Sequence, residues 1–168
     1  MGNIYLIGFM GCGKSTVSRY LCKLCGYKRL EMDEEIEKKE GRRIKEIFAQ
    51  SGEAYFRKAE TSLLKSFESS ERLVVSCGGG TAMNEENVAE MKKNGIVILL
   101  GACPETIYSR VKNNHNRPLL EGNMNVEYIR GLMEQRRPKY EAAADFTIMT
   151  DGKSTQQICR EILDRIEA

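Results

Sequence analysis

Short apolar runs alternate along this chain with longer segments in which apolar residues recur every three or four positions. The short runs are rich in Ile, Val and Leu, as β-strands are. They predict five strands, at Ile4–Ile7, Tyr27–Leu30, Leu73–Ser76, Ile96–Leu100 and Phe146–Met149. Because helical segments separate these runs, the pattern favours parallel strands with a crossover helix at each connection.

Two of the short runs show how the predicted sheet is covered. Leu73–Val75 and Ile96–Leu100 are apolar at every position. Such runs are typical of parallel strands that are buried on both faces, because helices pack on each side of the sheet. We therefore expect an open α/β sandwich.

Glycine and proline mark the predicted helix boundaries. Gly26 predicts the end of the first helix, and Gly95 predicts the end of the helix that begins near Asn84. Pro104 fits the first turn of the next helix. The segment 112–125 is different, since it is rich in asparagine and lacks periodicity. Two interpretations stay open for it, a mobile lid and an ordinary surface loop.

Composition limits the kinds of partner that the chain can have. Its 168 residues are 41% hydrophobic and 30% charged, which suits one domain with its own core over residues 1–168. Lys and Arg number 26 against 24 Asp and Glu, so we expect no strongly basic surface for nucleic acid. The apolar runs are too short to cross a bilayer, so we expect no membrane partner.

The six cysteines do not indicate a disulfide framework. A chain of this length needs no such staples and carries no secretory h-region, so we expect reduced thiols in the cytoplasm. Cys22 and Cys25 have the C-x-x-C spacing, but no second pair follows and His115 is the sole histidine. A four-ligand zinc site or a redox site is therefore not expected.

The first strand is followed by a glycine-rich loop that carries the clearest chemical signal. Gly8–Ser15 fits the pattern G-x-x-x-x-G-K-[ST] between a strand and a helix. Glycines let backbone N–H groups turn toward phosphate oxygens, and the following helix points its positive end at them. Lys14 is expected to reach the β and γ phosphates, and the Ser15 hydroxyl to bind Mg²⁺. The predicted ATP-binding residues here are Gly11, Cys12, Gly13, Lys14, Ser15 and Thr16.

Other motifs narrow the class of nucleotide-binding protein. The N-K-x-D and D-x-x-G motifs of GTPases are absent, and so is the signature of transporter ATPases. The strand Leu73–Ser76 ends without a carboxylate. The acidic partner of the metal must then come from Glu31 or Asp33, at the end of the second strand.

Several features occur together and in order, and their combination resembles the shikimate kinase family. They are the loop Gly8–Ser15, the acidic pair Glu31 and Asp33, Phe56-Arg57, Gly78–Gly80 and Arg117-Pro118-Leu119-Leu120. The resemblance implies a P-loop kinase fold, an α/β/α sandwich with a five-stranded parallel sheet in the order 2-3-1-4-5. It also implies transfer of the γ-phosphoryl group of ATP to the 3-hydroxyl of shikimate, with Mg²⁺, by a monomer. Substrate-binding helices are expected at about 33–61 and a lid at about 112–125.

The resemblance also assigns an acceptor site. Asp33 would contact the acceptor hydroxyl and take its proton. It could also cap the helix that follows, and the two roles are compatible. Arg57 and Arg136 would hold the shikimate carboxylate, since a guanidinium donates two parallel hydrogen bonds. Glu60 is expected to orient Arg57 from three residues further on. Gly78, Gly79 and Gly80 would leave room for the acceptor ring.

The resemblance also assigns residues to the ATP and Mg²⁺ sites, and one of them departs from the pattern of the family. Arg117 would close over the transferring phosphoryl group from the lid. Arg110 and Lys153 match the region that flanks adenine. Glu31 stands where the family usually has aspartate, and we expect it to reach the metal through water. A separate hypothesis concerns Cys12, whose thiol lies in the phosphate loop and could react with alkylating agents unless ATP protects it.

Two rival interpretations stay open at this point. One is another small-molecule kinase on the same scaffold, such as a gluconate kinase or a nucleoside monophosphate kinase. The other is a regulatory module that closes on ATP without transferring a phosphoryl group. Asp33 and Arg117 argue against the module, because binding alone requires neither residue.

Overall fold

The computed structural model of this chain describes residues 2–112 and 125–168. In that part of the chain, five parallel strands form one sheet in the order β2-β3-β1-β4-β5, as the sequence predicts. The strands are β1 (Asn3–Ile7), β2 (Lys28–Glu31), β3 (Leu73–Ser76), β4 (Gly95–Gly101) and β5 (Phe146–Met149). The helices are α1 (Lys14–Cys25), α2 (Met32–Glu40), α3 (Ile44–Ser51), α4 (Glu53–Lys65), α5 (Glu85–Asn94), α6 (Pro104–Val111), α7 (Val126–Ala143) and α8 (Thr155–Glu167), with a 3₁₀ turn at Thr81–Met83.

Local sequence signals explain most helix ends. Gly26 follows α1 with a φ of 71°, in the left-handed region that glycine tolerates best. The side chain of Asn84 accepts a hydrogen bond from the backbone of Glu86 and so caps α5. Pro104 begins α6, where its missing N–H costs nothing. These boundaries confirm the predictions made from glycine and proline.

The core lies between the central strands and the helices on both sides of the sheet. All five residues of β1 are buried, as are Val97–Leu100 of β4. α1 packs on β1–β3 and against α8, α8 packs on β5, and α5 and α7 pack on β4. The three-layer α/β/α sandwich is therefore confirmed. No helix in residues 2–112 or 125–168 combines the length and hydropathy of a membrane span.

Strand pairing places one group of residues at the carboxyl edge of the sheet. Leu6 of β1 and Glu31 of β2 both pair with Ser76 of β3. β2 runs one residue further than predicted, because Lys28 rather than Tyr27 pairs with the first residue of β3. The carboxylate of Glu31 consequently sits at the end of the sheet beside the phosphate loop.

The alternative role of Asp33 as a helix cap is wrong. α2 begins at Met32 and its N-cap residue is Glu31, which makes no side-chain cap hydrogen bond. The helix follows β2 without an intervening turn, so Asp33 is already its second residue. An acidic side chain in the first turn still interacts favourably with the helix dipole.

Candidate active site

The phosphate loop joins the carboxyl end of β1 to the amino end of α1. Gly8 has a φ of 144°, and a Cβ there would lie 2.6 Å from the carbonyl oxygen of Leu100. Gly13 precedes α1 with a φ of 100°. Both positions therefore favour glycine. A cavity of about 260 Å³ adjoins the loop, and its lining includes Gly11, Gly13, Lys14, Ser15, Thr16, Glu31, Asp33 and Arg110.

The Lys14 side chain folds back onto this loop. Its Nζ donates hydrogen bonds to the carbonyl oxygens of Gly8 at 2.6 Å and Phe9 at 3.1 Å. The residue is 8% exposed, so the ammonium group is held close to the backbone that shapes the cavity. This position agrees with the predicted role of Lys14 beside the β and γ phosphates, which stays a prediction.

Cys12 does not have the accessibility that the alkylation hypothesis requires. The residue is 1% exposed, and its Sγ lies 3.6 Å from Lys14 Nζ. A Cβ on Gly8 would approach the same sulfur to 2.8 Å, so the thiol is packed under the loop. Alkylation of Cys12 would require the loop to open, and we no longer expect it to be rapid.

The residues predicted to flank adenine differ in their positions. Arg110 Nη1 donates to the carbonyl oxygen of Gly11 at 2.9 Å and lines the phosphate-loop cavity. Lys153 instead pairs with Glu161 at 2.7 Å and does not line that cavity. Asp151, in the same turn as Lys153, has a lowered pKa, chiefly because the Thr106 hydroxyl donates to its carboxylate. The turn is thereby tied to the start of α6.

Glu31 is held by a residue that the sequence analysis did not single out. Arg29 Nη2 lies 3.0 Å from Glu31 Oε1, and Arg29 Nε donates to Ser18 Oγ at 3.3 Å. The Ser18 hydroxyl in turn donates to the carbonyl oxygen of Ser15 at 2.8 Å. The two predicted metal-binding residues are therefore linked through their neighbours. The available signal was that Arg29 and Glu31, two apart on a strand, share one face of the sheet.

A second cavity, of about 580 Å³, lies beside the first. Its lining brings together all the residues predicted to bind the acceptor, namely Asp33, Arg57, Gly78, Gly79, Gly80 and Arg136. Phe48 and Phe56 form a tilted ring pair in its wall, with centroids 5.0 Å apart. The cavity therefore offers cationic groups beside apolar rings, which suits a small carboxylate with a carbon ring.

Glu60 orients the side chain of Arg57, as predicted. Its Nη1 donates to Glu60 Oε1 at 2.8 Å, and its Nη2 donates to Glu53 Oε1 at 3.2 Å. Glu60 is fully buried, whereas the Glu53 side chain is 57% exposed. Burial alone would lower the pKa of Arg57, but the charges and hydrogen bonds of Glu60 and Glu53 together outweigh burial and raise that pKa. The guanidinium therefore stays charged in the cavity wall.

Arg136 reaches the cavity from α7, whereas Arg57 lies on α4. Its Nη1 donates to the carbonyl oxygen of Gly79 at 3.1 Å, and the guanidinium lies 5.7 Å from the centre of the Phe9 ring. The hydroxyl of Tyr140 donates to the same Gly79 carbonyl. Burial raises the pKa of Tyr140 to about 12, so this hydroxyl keeps its proton. Tyr140 was not predicted, although it lies four residues after Arg136 on the same face of the helix.

The glycine turn leaves little room for added side chains. A Cβ on Gly80 would lie 2.6 Å from Arg57 Nη1. A Cβ on Gly78 would lie 3.0 Å from Glu60 Oε2 and 3.2 Å from Asp33 Oδ1. Side chains at these positions would displace the groups that form the cavity wall.

The two cavities meet at a shared wall, which consists of Met10, Asp33, Gly78 and Gly79. Asp33 thus borders both the cavity beside the phosphate loop and the cavity that Arg57 and Arg136 line. A group bound in one cavity can approach a group bound in the other at this wall.

Arg117 and most of the predicted lid, residues 113–124, lie outside the described residues. The six cysteines, which are all described, are free thiols. Within residues 2–112 and 125–168, no three His, Cys, Asp or Glu side chains are grouped to hold a metal ion. Burial raises the pKa of Cys22 to about 11, and Cys22 and Cys25 form no disulfide.

Comparison with known proteins agrees with this geometry. A family model described as shikimate kinase matches residues 10–167. The shikimate kinase of Persephonella marina is 48% identical over 99% of both chains. A shikimate kinase structure from Acinetobacter baumannii, in complex with shikimate, has a TM-score of 0.94 and 38% identity, covering 99% of this chain and 93% of that one. The structure from Aquifex aeolicus has a TM-score of 0.85 and 39% identity, covering 98% and 96%. The chain therefore belongs to the shikimate kinase family of ATP-dependent kinases.

Proposed function

We propose that this kinase transfers the γ-phosphoryl group of ATP to the 3-hydroxyl of shikimate across the wall that its two cavities share. The observation that carries the proposal is the position of Asp33, which lines both cavities together with Gly78 and Gly79. In-line transfer requires the attacking oxygen, the phosphorus and the leaving oxygen to be held close and aligned. Two adjoining sites with a carboxylate between them meet that requirement.

On the ATP side, the described residues bind phosphate and neutralise charge. The backbone amides of the loop and the amino end of α1 cradle the phosphates. Lys14 moves from the carbonyl oxygens of Gly8 and Phe9 to the β and γ phosphates, where its positive charge offsets their negative charge. Arg117 supplies a further positive charge, a role that rests on the family resemblance alone.

On the acceptor side, the arginines orient shikimate and Asp33 acts on its hydroxyl. Arg57 and Arg136 bind the carboxylate from two walls of the cavity, and the ring rests against Phe48 and Phe56. Asp33 accepts a hydrogen bond from the 3-hydroxyl and takes its proton as the new P–O bond forms. The roles of all these residues are parts of the proposal.

The residues beside the phosphate loop fit Mg²⁺. The Ser15 hydroxyl and the Glu31 carboxylate line one cavity, and oxygen donors of this kind are what Mg²⁺ prefers. Ser15 would hold the ion directly and Glu31 through water. When bound, Mg²⁺ neutralises the negative charge that the phosphates share during transfer.

Replacing Arg29 with methionine is expected to raise the Mg²⁺ concentration that half-saturates the enzyme by about tenfold, a typical effect of losing a group that orients a metal ligand. Arg29 holds Glu31 Oε1, and the variant releases this carboxylate. Mn²⁺ binding to the ADP complex, followed by electron paramagnetic resonance, should weaken in parallel. Arg19→Met is the control, since Arg19 is exposed on α1. Unchanged Mg²⁺ and Mn²⁺ affinities would show that Arg29 does not orient Glu31 for the metal ion.

A coupled assay of ADP release tests the proposed reaction. The enzyme is given Mg-ATP with shikimate, gluconate, AMP or no acceptor. We expect ADP release that depends on shikimate, at a rate on the order of 1–100 per second. Release with gluconate or AMP alone would overturn the acceptor assignment of Arg57 and Arg136. Tight ATP binding without release on any acceptor would instead support a regulatory module.

We further propose a monomer that works in the cytoplasm. The monomer follows from the family resemblance, and the reducing compartment fits six free cysteines. Sedimentation of the purified protein across a concentration series measures the oligomeric state.

A further inference from the structure

Behind the acceptor cavity lies a group of buried polar side chains that the proposed reaction does not yet use. Glu60 and Thr81 are 0% exposed, Asn87 is 1% exposed and Thr61 is 9% exposed. They come from α4, from the 3₁₀ turn after the three glycines and from α5. Of these, only Glu60 lines the acceptor cavity. Buried polar groups at such positions require hydrogen bonds, and each of these groups makes at least one.

The first links in the group run from Arg57 to the glycine turn. Arg57 Nη1 donates to one oxygen of Glu60 at 2.8 Å, and the Thr81 hydroxyl donates to the other at 2.6 Å. The carboxylate is therefore held at both oxygens, which fixes its rotation. Hydrogen bonds to a buried carboxylate are among the stronger ones in proteins, because the acceptor is charged and water is excluded.

The next links return from the turn to α4. Asn87 Nδ2 donates to the carbonyl oxygen of Thr81 at 3.0 Å, and Asn87 Oδ1 accepts from the Thr61 hydroxyl at 2.6 Å. The same hydroxyl lies 3.1 Å from the carbonyl oxygen of Arg57, but its single proton goes to the nearer Asn87. The residues Glu60, Thr81, Asn87 and Thr61 thus form a polar ring, which the peptide bond between Glu60 and Thr61 closes. Arg57 joins this ring at the carboxylate of Glu60.

Arg57 has a competing partner outside this ring. Its Nε and Nη2 contact Glu53 Oε1 at 3.4 and 3.2 Å, and the Glu53 side chain is 57% exposed. Without a rigid Glu60, the guanidinium would have more freedom to swing toward Glu53 and solvent. The polar ring favours the inward orientation, in which Arg57 borders the acceptor cavity.

We propose that Thr81 and Asn87 are positioning residues for the shikimate carboxylate. Thr81 fixes the carboxylate of Glu60, Glu60 fixes the guanidinium of Arg57, and Asn87 fixes the backbone of Thr81. Neither residue touches the acceptor, so each acts through Arg57. The inference rests on the proposed function, in which Arg57 binds that carboxylate.

The first test compares two replacements of Thr81 that differ in one hydroxyl. Thr81→Val keeps the branched shape and removes the donor to Glu60, whereas Thr81→Ser keeps the donor. We expect Thr81→Val to raise the KM for shikimate by about tenfold, the cost of one charge-assisted hydrogen bond. Its kcat and its KM for ATP should stay within about twofold of the parent enzyme. Thr81→Ser should restore the parent KM for shikimate to within about threefold.

The second test separates positioning from stability with a matched pair of asparagines. Asn87→Leu breaks the polar ring, and Asn3→Leu removes an equally buried asparagine at the amino end of β1, where Asn3 bonds to Ser70 and Leu73. Both variants should unfold at lower temperature than the parent, because each loses buried hydrogen bonds. Only Asn87→Leu should raise the KM for shikimate, by about fivefold to tenfold.

A third variant, Arg57→Ala, distinguishes failure of this inference from failure of the proposed function. It should raise the KM for shikimate by about a hundredfold, since it removes a charged partner of the carboxylate. If Arg57→Ala does so while Thr81→Val and Asn87→Leu behave like Asn3→Leu, the positioning role is overturned. A Thr81→Ser variant as impaired as Thr81→Val would overturn it as well. If Arg57→Ala leaves the KM for shikimate unchanged, the carboxylate-binding role of Arg57 fails and the inference fails with it.

Discussion

Replacing Lys14 with methionine is expected to reduce kcat by about a thousandfold, the largest effect of any single change considered for this enzyme. Methionine keeps much of the side-chain length but carries no charge. The transferring phosphoryl group then loses the cation that the phosphate loop provides. Initial rates with saturating shikimate and Mg-ATP measure the change.

Lys23→Met serves as the control for Lys14→Met, since it removes a lysine from the exposed face of the same helix. We expect its kcat to equal that of the parent. Circular dichroism of both variants checks that α1 still forms. A Lys14→Met enzyme with a kcat within about tenfold of the parent would contradict the assigned role.

Asp33→Asn should lower kcat by about 10²–10³-fold while leaving the KM for ATP nearly unchanged. Asparagine has the same shape but cannot take the proton of the acceptor hydroxyl. Asp33 lies in the wall between the two cavities, so the loss falls on the transfer step rather than on nucleotide binding. Single-turnover measurements in a quenched-flow instrument follow that step directly.

The neighbouring residue provides a control for Asp33→Asn. Glu34 is exposed, follows Asp33 on α2 and lines neither cavity. Glu34→Gln removes the same amount of charge from the first turn of the helix and should leave the transfer rate unchanged. If the two variants slow transfer equally, the effect belongs to the charge of the helix and not to a proton acceptor.

Most strands could be predicted from the sequence because short runs rich in apolar residues stand between longer helical segments. Leu73–Ser76 and Phe146–Met149 have the same bounds in the structure as in the prediction. The prediction is shifted by one residue at β2, an edge strand with three half-buried residues and one exposed residue. There the pairing partner, β3, decides where the strand begins and ends, and no local pattern carries that information.

The candidate site was predictable where a motif is contiguous and unpredictable where contacts are distant. The phosphate loop and the three glycines are short motifs with a physical reason for each residue type. Arg57 and Arg136 were identified only through the family resemblance, because an arginine on a charged helix has no distinctive local signal. The polar ring was missed, since Thr81 and Asn87 meet Glu60 and Thr61 across more than twenty residues of sequence.

The burial of Cys12, which argues against rapid alkylation, could not be predicted because it depends on tertiary packing. Cys12 sits in a loop that suggests an exposed thiol, but the loop folds over its sulfur. Lys153 pairs with Glu161 of α8, and no local motif marks that pairing.

The wall that the two cavities share has a thermodynamic consequence. A ligand in either cavity changes the surroundings of Asp33 and Gly79, and so changes the free energy with which the other cavity is filled. Linkage requires this coupling to be reciprocal. Whatever factor a bound nucleotide applies to the dissociation constant of shikimate, bound shikimate must apply to that of the nucleotide.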